Sequence, residues 1–205
     1  MITVSAAQMK EIERQADAHG LCYLQMMENA GEAAFSAMRA AFPDARRIVV
    51  FAGKGNNGGD GFVVARRYAE TGAAVTIVLC EGMPVTEDAQ TNFSRLQNVS
   101  VLPLDKAAPL PPADLLVDAL YGTGFHGALR ESGRKAARLM NESSAPVCAL
   151  DLPSGMNADT GEIASGAVQA DLTAVFHRFK HGHAVPAAQK QCGRLLLADI
   201  GIPEY

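Results

Sequence analysis

The sequence predicts an α/β fold: a Rossmann-like three-layer sandwich with a mostly parallel central sheet and extra N-terminal helices. Three observations carry that expectation. Short apolar, β-branched runs alternate with segments of helical period, the pattern of a parallel sheet covered on both faces. Polar loops rich in glycine follow three of those runs. The 205 residues, 48% hydrophobic and 20% charged, suit one domain with one sizeable core. No linker, repeat or low-complexity segment interrupts residues 1–205.

The elements follow in order. Ser5-Ala6-Ala7-Gln8 is a capping box, which predicts a helix from there to about His19. A second helix is expected from Tyr23 to Ala41, before Pro43. Arg47 to Ala52, containing Ile-Val-Val-Phe, reads as a buried strand. Gly59 to Thr71 has helical spacing, with Phe62, Val63, Ala65 and Tyr68 on overlapping apolar faces. Ala74 to Leu79 is a strand. Thr86, as cap, opens a helix to Leu96, and Val99 to Leu104 is a strand. Leu110-Pro-Pro112 breaks the pattern. Strands are expected at Leu115 to Leu120, Val147 to Leu152, Leu172 to Phe176 and Leu195 to Ile200, with a helix from Ser132 to Ser143. Met9, Met26, Met27 and Met38 are most simply helix-packing residues.

Bulk properties narrow the function. A net charge of -4 and a pI near 5.7 do not resemble a basic nucleic-acid footprint. Cys22, Cys80, Cys148 and Cys192 are scattered, with no C-x-x-C pair. Reduced thiols in a cytoplasmic protein are expected, with Cys80 and Cys148 buried in strands. The N-terminus has no basic stretch followed by an apolar one, so no secretory signal is read there. No apolar run approaches the length that spans a bilayer.

In a doubly wound sheet, ligands bind beyond the carboxyl ends of the strands. Three loops leave that edge: Gly53 to Gly61, Tyr121 to Gly127, and Asp151 to Gly155. Glycine also serves tight turns, so any one loop is ambiguous. Three together, each with Asp, Asn, Thr or Ser beside its glycines, should converge on one crevice. The first spells Gly53-x-Gly55-x-x-Gly58, the dinucleotide fingerprint. It also places Asp60 at the expected start of a helix, where a pyrophosphate would sit. A bound cation or a hydroxyl-rich part of a ligand would suit Asp60 better. No Gly-Lys-Ser/Thr follows, which excludes a P-loop.

The longer string Gly55-Asn-Asn-Gly-Gly-Asp-Gly61 resembles the hallmark of the YjeF N-terminal domain family, the NAD(P)H-hydrate epimerases. Further stretches agree, in order: Met26-Met-Glu-Asn-Ala-Gly31, Val117-Asp-Ala-Leu-Tyr-Gly-Thr-Gly124, Leu150-Asp-Leu-Pro-Ser-Gly155 with Asp159-Thr-Gly161, Phe176-x-x-x-Lys180-x-Gly182 and Asp199-Ile-Gly-Ile-Pro203. The resemblance covers essentially the full chain. Many bacterial relatives carry a further dehydratase domain. This chain reaches Tyr205 just past the last motif, which fits either a stand-alone epimerase or a domain of a longer protein.

The resemblance implies a reaction: interconversion of the R and S forms of hydrated NADH or NADPH at ring carbon 6, beside a partner dehydratase, in a homodimer. The hydroxyl next to the ring nitrogen would leave as water and water would return from the opposite face, which calls for a positioned acid/base. Asp151 is the first candidate, at a strand end before Pro153 and Gly155; an Asp there also caps turns. Lys180 is the second, in a segment that reads as a loop; it also reads as a plain surface lysine. The family's potassium ion maps onto Asn57, Asp118 and Ser154, hard oxygen donors suited to such a cation; capping alone would also explain the last two. Substrate contacts map onto Asn56, Asn57, Gly58, Gly59 and Asp60, onto Gly122, Thr123, Gly124, Phe125, His126, Gly127 and Ala128, and onto Asp151. His177 to His183 reads as solvated loop residues or a phosphate-facing basic edge. Two rival readings remain: a non-catalytic nucleotide-, RNA- or protein-binding module of the same fold, and an NAD-dependent oxidoreductase with Glu81 as its ribose acid.

Overall fold

The computed structural model describes residues 2–203. The elements run β1 (Thr3–Val4), α1 (Ala6–Ala18), α2 (Tyr23–Ala41), β2 (Arg47–Ala52), α3 (Asn56–Glu70), β3 (Ala74–Leu79), α4 (Glu87–Ser94), β4 (Ser100–Pro103), β5 (Leu115–Ala119), α5 (Glu131–Asn141), β6 (Val147–Leu150), β7 (Leu172–Phe176), β8 (Phe179–Lys180), α6 (Pro186–Cys192) and β9 (Arg194–Ala198). Seven strands form one parallel sheet in the order β4-β3-β2-β5-β6-β7-β9. Its winding reverses between β2 and β5, whose register pairs Ile48 with Leu115 and Ala52 with Ala119. A separate parallel ladder joins β1 to β8, with Thr3 opposite Phe179 and Val4 opposite Lys180.

Alternation along the strands divides the core in two. Ile48, Val50 and Ala52 point to one face with Leu115, Val117 and Ala119; Val49, Phe51 and Leu116 point to the other. The first face is covered by α2 and α3, through Met26, Ala30, Ala34 and Met38 and through Phe62, Val64, Ala65 and Tyr68. The second is covered by α5, through Ala136, Ala137 and Met140. Each fully buried Val, Ile, Leu or Phe contributes about 1.5–3 kcal/mol. Among the described residues no helix is long and apolar enough to cross a membrane. The four cysteines are free thiols, Cys22 exposed and the others buried.

Several boundaries differ from the sequence expectation. The capping box holds: Ser5 Oγ accepts from Gln8 N at 3.0 Å and Gln8 Oε1 from Ser5 N at 2.8 Å. But α3 begins at Asn56, three residues before the expected Gly59. Asn and Gly are weak helix formers, so local pattern misses a turn that tertiary packing imposes: Gly58, Gly59 and Gly61 are all buried. Thr86 stands at the N-cap of α4 without capping it, and its hydroxyl is buried and unpaired. The ladder of β1 with β8, and helix α6, had no counterpart in the expectation.

Helices α2 and α3 approach closely at Gly31, where a methyl group would lie 2.3 Å from Val63 Cβ. Gly31→Ala is expected to force the helices apart and cost about 1–3 kcal/mol. That corresponds to a fall in melting temperature of about 2–12 °C for a chain of this size, read by circular dichroism.

Candidate active site

Where the sheet reverses, the loops after β2 and β5 splay apart and leave a cavity of about 620 Å³. Asn56, Asn57 and Asp60 line it from the first turns of α3; Gly122, Thr123, Gly124, Phe125, His126 and Ala128 line it from the second loop; Asp151 and Lys180 line it from beyond β6 and from β8. The remaining expected contacts, Gly58, Gly59 and Gly127, do not line the cavity. Gly58 is buried against the Gly53 carbonyl, Gly59 lies under Met27, and Gly127 turns the second loop at φ +74°. The Met26–Gly31 motif supplies the opposite wall: Met26, Met27 and Ala30 line the cavity, and Asn29 Nδ2 donates to the Ile200 carbonyl at 2.8 Å.

The three loops are tied together at their base. Asp118, fully buried at the end of β5, accepts from Ser154 Oγ at 2.6 Å and from Ser154 N at 2.7 Å. It also accepts from Leu120 N at 3.2 Å, while Ser154 Oγ accepts from Tyr121 N at 2.9 Å. Burial pushes the Asp118 carboxyl up to about 6, against the pull of those hydrogen bonds. The Asn57 side chain reaches the same loop: a methyl group on Gly122 would stand 3.4 Å from its Oδ1. Asn57 Nδ2 is buried with no hydrogen-bond partner. Asn57 thus reaches the second loop at the residue next to Tyr121, whose N–H Ser154 holds.

Asp151 adopts φ +63°, a left-handed conformation that costs an Asp about 1–3 kcal/mol and is found where function demands it. Its Oδ1 accepts from Phe176 N at 3.0 Å and from Lys180 Nζ. Lys180 Nζ donates also to the Phe176 carbonyl at 2.9 Å. Asp151 Oδ2 has no such partner among the described residues, and the residue lines the cavity. Lys180 is therefore neither a surface lysine nor a loop residue. It ends β8, is 1% exposed, and forms a buried ion pair. The histidine reading is corrected as well. His183 is fully buried; its Nδ1 accepts from Lys180 N at 2.9 Å, so Nε2 donates to the Asp151 carbonyl at 3.0 Å. Burial holds its pKa below the ordinary histidine value, keeping the ring neutral. His177 is buried too, and only His181 stands exposed, beside Thr3 Oγ1 at 2.9 Å. The solvated basic edge does not form, because the β1 ladder and the 3₁₀ turn over His181–Ala184 fold the segment inward.

The objection raised by Asp60 also changes. Helix α3 starts at Asn56, with Gly55 as N-cap and no side chain capping its first N–H groups. The positive pole is thus at Asn56, one turn before Asp60. Asp60 faces the cavity but is enclosed elsewhere by protein. Burial, then the charges of Asp151 and Glu13, push its carboxyl well above the ordinary aspartate range. The shift favours its protonated form, which can donate. Sequence reasoning missed Glu13, Tyr23, Lys54 and Arg130, which also line the cavity. Glu81 lines it too, engaged by Tyr121 Oη at 2.8 Å.

This arrangement has relatives. The chain is 41% identical over 99% of its length to the bifunctional NAD(P)H-hydrate repair enzyme Nnr of Pyrobaculum aerophilum, covering 42% of that protein. It is 38% identical over 98% of its length to the NAD(P)H-hydrate epimerase of Cenarchaeum symbiosum, covering 95% of it. The chain thus spans about two fifths of the bifunctional relatives it matches. The crystal structure of yeast ynu0 superposes with a TM-score of 0.78 at 25% identity, over 90% of this chain and 84% of that one. Residues 23–182 match the family described as YjeF-related protein N-terminus. With its fingerprint loop, tied strand ends and buried Lys–Asp pair, the chain belongs to that family.

Proposed function

We propose that the protein epimerises hydrated NADH and NADPH, interconverting the R and S forms at the hydrated ring carbon. The observation that carries this reading is Asp151. One carboxylate oxygen is held by Lys180 and Phe176 N, and the other is unengaged in a cavity that begins at a dinucleotide-type helix N-terminus. The names of the relatives support the same activity.

In this reading the nicotinamide ring lies against Asp151. Loss of the hydroxyl leaves a cationic ring, which the Asp151 carboxylate stabilises. Water returning to the opposite face passes a proton to that same carboxylate. Lys180 holds Asp151 in place from below; its amine is occupied by Asp151 and the Phe176 carbonyl. Neutral His183 supports the strained turn through the Asp151 carbonyl. Asp60, its carboxyl shifted toward the protonated form, faces the ligand one turn beyond the helix N-terminus. The uncapped N–H groups of Asn56 and Asn57 face the pyrophosphate, with Lys54 nearby on the cavity wall. No hydride moves, so the oxidoreductase reading has no role for Asp151; Glu81 is moreover engaged by Tyr121.

A potassium ion belongs to the same proposal. Asp118 is a fully buried carboxylate with no cationic partner among the described residues, and Asn57 brings an amide oxygen beside Gly122 of the adjoining loop. With Ser154 Oγ these are hard oxygen donors, and the set fits a monovalent cation. The ion would supply positive charge and join the first and second loops. A dehydratase is the partner activity, as the bifunctional relatives suggest. A cytoplasmic homodimer completes the reading, and sedimentation measures the dimer directly.

Mixing the protein with R-hydrated NADH and an S-specific dehydratase should restore NADH faster than the spontaneous rate. Inactivity here would reject the epimerase reading. In the same assay Asp151→Asn is expected to lower the rate about 10²–10⁴-fold, the usual effect of removing an acid/base; an unchanged rate would remove Asp151 from the chemistry. Replacing choline chloride by potassium chloride at constant ionic strength should raise the melting temperature. At ten times the dissociation constant the gain is about 1.4 kcal/mol, or about 3–6 °C. Asp118→Asn should abolish that gain, and a potassium-independent melt in the wild type would argue against the ion.

A further inference from the structure

Asp151 accounts for a proton acceptor. The reaction also needs a donor for the departing hydroxyl; of the cavity carboxyls outside the three loops, Glu81 is engaged by Tyr121, Asp88 lies in the first turn of α4, and Glu13 comes from α1. Glu13 lies on α1, between Met9 and Ala16, which are 3% and 0% exposed. The spacing i, i+4, i+7 puts all three on the helix face turned to the protein. An apolar residue would fill that position for packing alone. Instead Glu13 lines the cavity and makes no hydrogen bond or ion pair with the described residues.

The placement of α1 is built rather than incidental. The β1 ladder holds the chain before the helix against Phe179 and Lys180. The first helical N–H, of Ala6, donates to Asp159 Oδ1 at 2.6 Å. These two ties bring Glu13 to the cavity wall, within electrostatic reach of Lys180 and Asp151.

Resting on the epimerase reading, the geometry points to Glu13 as a further catalytic residue, the general acid that protonates the departing hydroxyl of the hydrated ring. The Glu13 proton passes to that hydroxyl as the carbon–oxygen bond breaks and water leaves. The ring-nitrogen lone pair closes the carbon–nitrogen double bond. Water adding to the opposite face gives its proton to Asp151, which then releases it to solvent in the open cavity while Glu13 takes a proton back from that solvent. No electron is gained or lost.

The surroundings suit that role. Asp151 and Asp60 face Glu13 with like charge or buried carboxyl, Tyr23 of α2 lies alongside, Lys180 opposes from β8, and Lys10 from its own helix. Burial first, then Asp151, raise the carboxyl to about 7, so it carries a proton near neutral pH. The sign follows: a raised carboxyl supplies acid below that value, and the acid is lost as pH rises through it.

The test uses the full chain in the coupled assay with R-hydrated NADH, with the spontaneous rate subtracted. The wild-type rate should fall as pH rises through about 7. Glu13→Gln should lower the rate at pH 6.5 by at least about 100-fold, and the residual activity should lose that fall. Glu13→Asp, which keeps an acid, should recover at least about tenfold over Glu13→Gln. Folding stability separates a structural role: a neutral Gln avoids burying a charge, so its melting temperature at pH 8 should equal or exceed the wild type's. An active wild type with Glu13→Gln within about threefold of it, at unchanged pH dependence, overturns the assignment while the epimerase reading stands. An inactive wild type overturns both.

Discussion

The cavity exists because the sheet reverses its winding between β2 and β5. Adjacent parallel strands whose crossovers run in opposite directions send their following loops to opposite sides, and nothing fills the space between. The tie from Asp118 to Ser154 and Tyr121 N then fixes the depth of that space, since it joins the ends of β5 and β6 through buried hydrogen bonds. A buried carboxylate with both oxygens occupied is costly to disturb, because each orphaned partner would carry its own desolvation penalty. The base is therefore rigid, and the residues above it inherit their positions.

Ionisable groups are concentrated around this space in an unusual ratio. Glu13, Asp60 and Asp151 share the cavity with Lys180, so the enclosed acids outnumber that enclosed base. Burial and neighbouring acidic charge raise the carboxyls of Glu13 and Asp60 above the ordinary range. A nucleotide with negatively charged phosphates can enter for this reason. The acid that would repel it at the helix N-terminus is one turn farther along, with its carboxyl shifted toward the neutral form.

Much of this was legible because it is local. Ser5 and Gln8 are three residues apart, so their capping box could be read directly. The strands announced themselves through β-branched runs, and the gathering of the strand-end loops followed from topology alone. Other features were hidden because they are not local. The run His177 to His183 looks hydrophilic, and only the ladder with residues near the N-terminus reveals that Lys180 and His183 are interior. The helical turn over Asn56 to Gly59 contradicts its own propensities and exists because Gly59 fits beneath Met27. Glu13 was visible in principle: an acid at i+4 from Met9 and i−3 from Ala16 interrupts an otherwise buried stripe.

The ladder of β1 with β8 carries a consequence for how the molecule assembles. Thr3 and His181, hydrogen-bonded across it, are 178 residues apart in the chain. Contacts so distant in sequence form late, since a very long loop must be closed before they return any energy. The central sheet can be in place well before the wall carrying α1 docks against it. During synthesis, the chemical centre is thus completed only after the residues through His183 have emerged.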